Sequence, residues 1–287
     1  MDEVEQLISL KFQDSPRASA ALIELWQGFK ASGLADRIFV PEITNGDEGK
    51  FWSRVWEMIL YRELIRAGHL PVSADRGPDF GITLSGRRMW FEAVCPAPTN
   101  LDEDWLRPVE PGEFRVRSFP HQEITLRLTA AISAKSAKLD RYLGSGIVGE
   151  GDGYVICVNS GQLSEFPEYY GVSGAPLIAE AVFPIGPVAI PFNRNGDRLG
   201  EPYVSTRPSI INHNGQPVPT TSFLDRAFAG VSAVMAFASR FPSEDMRPVI
   251  VHNPFARVPL PVGFFPGGLD YVAEMDGHSM TLRPATA

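Results

Sequence analysis

Hydrophobic positions along the chain recur first at helical spacing, then at strand spacing, then in unbroken runs, and each change marks a new kind of element. In residues 2–12 and 16–33 apolar side chains return every three to four positions, which predicts two helices. The second opens at Ser15-Pro16 and stops at Gly33, residues that start and end helices. With the short apolar piece Ile38-Phe39-Val40-Pro41 and the Asn45-Gly46 turn, they form a helical N-terminal cap over residues 1–46. A third helix is predicted from Asp47-Glu48 to Gly68. It is apolar on most sides (Phe51, Trp52, Val55, Trp56, Ile59, Leu60, Leu64, Ile65), so it packs against other elements instead of lying on the surface. Glu57 shares a line with Leu60 and Leu64, and Glu63 one with Trp52, Trp56 and Ile59. Each is either drawn inward or escapes at the edge of its stripe.

The period then falls to two. Phe80, Ile82 and Leu84 alternate with polar or small residues, Met89 and Phe91 continue the alternation, and Ser85-Gly86 separates the two runs as a two-residue hairpin turn. Antiparallel pairing around that turn sets Ile82 against Met89, Phe80 against Phe91, Gly81 against Trp90 and, on the other face, Asp79 against Glu92. Directly opposed side chains stand roughly 4.5–5.5 Å apart, where like charges repel. Two such carboxylates call for a shared proton or a hard cation such as Mg²⁺ or Mn²⁺, unless a slip in register leaves both solvated.

After the hairpin a polar, proline-containing loop runs from Pro96 to Pro120, a length typical of functional or disordered segments. Residues His121–Leu143 return to helical spacing. At about 100° per residue Leu128, Ile132, Leu139 and Tyr142 form one stripe with Lys135 in its middle; Lys138 lies beside it. Tyr154–Asn159 is a continuous apolar run bounded by glycines, the pattern of a strand buried on both faces. A hairpin, a helix and a buried strand define an α/β core over residues 47–160, with a mixed sheet under helices. Residues 161–287 read as an extension on the same sheet. Strand-like pieces are expected at Ala181–Phe183, Val188–Phe192 and Ser209–Ile211, a helix from Ser222 to Arg240, a buried strand at Arg247–His252 and a final strand at Tyr271–Leu282.

Composition narrows the options. The 287 residues are 44% hydrophobic, enough for one large domain, and no run of about 18 apolar residues predicts a membrane span. The acidic, amphipathic start MDEVEQLISLKF does not resemble a signal peptide, so a cytoplasmic protein is expected. Cys95 and Cys157 sit in apolar runs as buried thiols, and the five histidines have no zinc-like spacing. Net charge is −8, but residues 50–145 carry fourteen basic and twelve acidic side chains. They are the one positive stretch between two acidic ones and a local setting for a polyanion.

Taken together, the residues Pro78-Asp79 at a strand start, Glu92-Ala93-Val94 in its partner and Glu57-x6-Leu64-x3-Gly68 in the preceding helix resemble the PD-(D/E)XK nuclease superfamily. The resemblance spans residues 48–160 and implies a restriction-endonuclease-like fold and Mg²⁺- or Mn²⁺-dependent hydrolysis of nucleic acid. On this resemblance Asp79, Glu92 and the Ala93 carbonyl hold the metal, with Glu57 joining through water. In the superfamily a lysine stands two residues after the second acid, a position filled here by Val94; Lys135 is placed to supply it from the following helix, with Lys138 in reserve. Arg115, Arg117, Arg127, Lys138 and Arg141 are candidates for phosphate contacts. A homodimer is compatible with that class, and no membrane partner is implied. Two alternatives stay open: a nuclease-like fold without catalysis that binds nucleic acid or a protein, and an unrelated α/β protein in which the acids are incidental.

Overall fold

Local capping chemistry accounts for the helical N-terminus. Asp2 closes a capping box on helix α1 (Glu3–Lys11): its Oδ1 accepts from the Glu5 backbone N–H at 3.0 Å, and Glu5 Oε2 accepts from the Asp2 N–H at 2.9 Å. Pro16 opens α2 (Pro16–Ser32), and Gly33, at φ 72°, ends it in the left-handed conformation that glycine tolerates. The short apolar piece that follows is a helix, α3 (Phe39–Ile43). Asp47 caps α4 (Glu48–Arg66) by accepting from Lys50 N–H at 2.9 Å. The computed structural model describes residues 1–74, 76–110, 112–164, 171–243, 247–277 and 279–285.

Strands β1 (Phe80–Leu84) and β2 (Arg87–Val94) pair antiparallel with Phe80 opposite Phe91 and Leu84 opposite Arg87. Ser85 and Gly86 both take positive φ, 50° and 81°, as a two-residue turn matched to strand twist requires. Helix α5 (Glu103–Leu106) interrupts the 96–120 loop, and α6 (His121–Gly144) crosses over to β3 (Gly153–Asn159), which lies parallel to β2 with Glu92 beside Ile156. Next come the single turn α7 (Leu177–Glu180) and two small ribbons, β4 (Ile185–Ala189) with β5 (Tyr203–Thr206), and β6 (Ser209–Ile211) with β7 (Pro217–Pro219). The chain then rejoins the main sheet as β8 (Ala233–Phe237), β9 (Val249–His252), β10 (Leu269–Asp276) and β11 (Ser279–Ala285). One mixed seven-stranded sheet results, in the order β1-β2-β3-β8-β9-β10-β11, so the last four strands continue the sheet begun by the hairpin.

The helix expected over Ser222–Arg240 does not form. Two 3₁₀ turns, Ser222–Leu224 and Arg226–Phe228, precede β8, which inserts beside β3 with Val155 opposite Ala233. A continuous run such as VSAVMAF fits a buried helix or a buried strand equally, and the neighbour across the sheet decided. Ala181–Phe183 is likewise no strand: it leaves the turn of α7, and the strand begins at Ile185. His278 lies outside the described residues. Among those described, no helix is long and apolar enough to cross a membrane.

Strand alternation assigns the two faces. Phe80, Phe91, Ala93, Val155 and Cys157 pack with α4 and the cap helices, whereas Trp90, Tyr154, Ile156 and Val158 pack with Leu128, Ile132 and Leu139 of α6. Trp56 fastens α4 down by donating from Nε1 to the Cys157 carbonyl at 2.9 Å. Glu92, in step with Trp90, therefore projects under α6, while Glu57 comes from the opposite face.

Candidate active site

Asp79 precedes β1 by one residue, and its Oδ2 accepts from the Ala93 backbone N–H at 2.6 Å, across the hairpin. One residue before Ala93, Glu92 is fully buried. Its Oε1 accepts from Lys135 Nζ at 2.6 Å and from Lys138 Nζ at 2.7 Å, and its Oε2 from the Tyr142 hydroxyl at 3.3 Å. The steps of three and seven residues from Lys135 put all three donors on one face of α6, over β2. Lysine is tolerated in that apolar stripe because its long stem packs while its head reaches a buried countercharge. Both lysines, not Lys135 alone, converge on Glu92.

From the other face of the sheet, Glu57 on α4 accepts from Arg54 Nη1 at 2.7 Å, and Arg54 Nε donates to Glu42 at 3.0 Å. These groups border an open cleft of about 740 Å³, lined by Glu57, Asp79, Ala93, Lys135, Lys138 and Arg141 and also by Arg54 and Arg76. Burial, then repulsion from Glu92, pushes the Asp79 carboxyl up to about 6. For Glu57, burial and then Asp79 push the carboxyl up to about 8. Burial opposes the charge on Arg54, yet Glu57 and Glu42 hold its guanidinium above the ordinary value. The Tyr142 phenol is driven upward by burial and by Glu92, so it keeps its proton and serves as a hydrogen-bond donor to that carboxylate. Burial also raises the Cys95 thiol to about 11. Cys95 is therefore a neutral thiol on the cleft wall, accepting from Gln162 Nε2 at 3.1 Å.

The other candidates lie outside this cleft lining. Arg115 Nη2 donates to Glu113 at 2.6 Å and its Nη1 to Asp104 at 3.2 Å; Arg117 donates to the Trp105 and Arg107 carbonyls, each at 2.6 Å. Arg127 Nε donates to the Ala97 carbonyl at 2.9 Å. All three fasten the 96–120 loop, Arg115 and Arg117 through both Nη atoms and Arg127 through Nε alone. Glu63 is buried between Arg62 and Arg66, apart from the cleft. Sequence reasoning missed Arg54, Arg76 and the donor role of Tyr142. Arg54 was readable three residues before Glu57 on the same helix face, and Tyr142 in the Lys135 stripe, but no local pattern marks Arg76.

The donor chemistry suits a hard cation. Asp79 Oδ1 accepts no hydrogen bond from a described residue, and Glu92 Oε2 has only the long contact with Tyr142, so each carboxylate keeps one lightly engaged oxygen. Mg²⁺ is commonly held by one or two carboxylates while it keeps several waters. Among the described residues no group of three or more His, Cys, Asp or Glu is arranged to hold a metal ion, so a cation here would rest on the two carboxylates, the Ala93 carbonyl and water. Compared with protein-family models, curated proteins and solved structures, the chain matches none.

Proposed function

We propose that this protein is a Mg²⁺- or Mn²⁺-dependent nuclease, hydrolysing phosphodiesters of nucleic acid on a restriction-endonuclease-like sheet as a divergent PD-(D/E)XK member. The observation that carries the reading is the cleft that Asp79, Lys135 and Lys138 line, with the buried Glu92 held by both lysines beneath it. Asp79, Glu92 and the Ala93 carbonyl would hold the cation, which supplies charge neutralisation at the phosphate and a more acidic bound water. Lys135, held by Glu92, points an ammonium at the place where negative charge develops on the phosphate and can orient the attacking water. Lys138 shares the Glu92 charge, which leaves Lys135 free to lean toward substrate without stranding a buried carboxylate. Glu57, held by Arg54, joins through a water.

A second reading has its own support: a binding protein without catalysis, in which Glu92 with its two lysines is a structural ion triad. Isothermal titration of Mn²⁺ and Mg²⁺ into the wild type and Asp79→Asn, beside cleavage of single- and double-stranded DNA and RNA, separates the two. Metal binding lost in Asp79→Asn, with cleavage also lost in Lys135→Ala, is the outcome expected of a nuclease. Nucleic-acid binding without cleavage selects the second reading, and a wild type that binds no metal removes the first.

A further inference from the structure

The charges on the two walls of the cleft are unequal. On the α3–α4 wall the cations are spent: Arg54 on Glu42 and Glu57, and Lys50 on Glu42 at 3.4 Å. Asp36 adds an exposed acid to that wall. The α6 wall is basic. Beyond the Glu92-bound Lys135 and Lys138 it carries Arg141, which is exposed and has no carboxylate partner among the described residues. Arg76 is exposed too and has no carboxylate partner among the described residues. Its neighbour Gly77 lies so near Ile147, just past α6, that an added Cβ would stand 3.0 Å from the Ile147 side chain. Arg141, three residues beyond Lys138 on α6, and Arg76, whose neighbour Gly77 approaches the end of that helix, thus line the cleft together with the two lysines.

Resting on the nuclease reading, we infer that the cleft takes one nucleic-acid strand, with Arg76 and Arg141 gripping phosphates to the side of the Asp79/Glu92 pair. A positively charged groove that tracks one backbone is the usual device for unpaired strands. A duplex presents two rows of phosphates; with one row along α6, the other would meet the wall where Asp36 is exposed and the cations are already paired. The preferred substrates are therefore single strands, overhangs or unpaired ends.

The test is fluorescence anisotropy of the full chain in EDTA, with a labelled single-stranded oligonucleotide and a blunt duplex of the same length, over a range of salt. The expected result is several-fold tighter binding of the single strand. Arg76→Ala and Arg141→Ala should each weaken it several-fold and lower the salt slope by about 0.7, the value for one phosphate contact on a single strand. Arg141→Lys, which keeps the charge, should retain most of the affinity. Equal or tighter binding of the duplex, no binding of either probe, or two alanine variants with unchanged affinity and slope would overturn the inference. Single-strand preference without Mg²⁺-dependent cleavage would support it and remove the hydrolytic reading, whereas cleavage confined to duplex would do the reverse.

Discussion

At the scale of single residues the site is a problem of buried charge. In the unfolded chain Asp79 and Glu57 titrate near 3.8 and 4.5; in the fold both carboxyls are raised, to about 6 and about 8. Ionisation therefore opposes folding. The stability present below the unfolded values is lost as pH rises through the folded ones. Thermal melts should show Tm falling between about pH 4 and about pH 8, while Asp79→Asn flattens the part of that decline below about pH 6 and gains about 1 kcal/mol above it. A Tm of the wild type that does not change over this range would contradict the burial argument. Mg²⁺ or Mn²⁺ competes with protons for the same oxygens, so its stabilising effect should grow with pH and be small in Asp79→Asn, as read by the same melts. The two lysines on Glu92 back each other up. Lys135→Met or Lys138→Met alone leaves one ammonium on the carboxylate, whereas the double variant strands a buried charge at a cost of about 3 kcal/mol. Urea denaturation should thus find the double cost exceeding the sum of the singles.

At the scale of elements, the hairpin owes its shape to a close fit across the strands. Gly81 faces Trp90, and an added Cβ would stand 2.8 Å from the indole ring, which also donates to Asp152 at 3.1 Å. Gly81→Ala should destabilise the fold by about 2 kcal/mol through overpacking; an unchanged denaturation midpoint would show that the ring can move aside. This register was legible in the sequence because turn residues, alternation and pairing are all local. Helix α6 was legible too, down to the lysine within its apolar stripe. Strand β8 was not. Its alanine-rich run is short and apolar on both sides, and it becomes a strand by pairing with β3 across more than seventy residues of intervening chain.

At the scale of the whole molecule, the apparent division into core and extension does not divide the sheet. Strand β3 pairs with β2 on one edge and β8 on the other, and the Tyr154 N–H donates to Ser232 Oγ at 3.0 Å just before β8. A fragment ending at residue 160 would leave the β3 edge bare, with its apolar residues unburied on that side. It should lack a cooperative melt by circular dichroism and aggregate, whereas independent folding of the fragment would show that the site-bearing part is a separate domain.

What the sequence determined by itself is what short-range physics controls: the capped helices, the hairpin and its register, and hence the presence of Asp79 beside the strand that carries Glu92. Tertiary structure alone decided the partners of those acids. Both lysines with Glu92, Arg54 of α4 with Glu42 of α3, and Arg76 near the end of α6 join residues through the packing of separate elements around the sheet. The same packing turned the loop arginines Arg115 and Arg117 inward to hold backbone and side-chain oxygens, away from the cleft. Periodicity shows which face of a helix is apolar, but a side chain's charge partner is fixed only when two elements far apart in sequence are brought together and solvent is removed from between them.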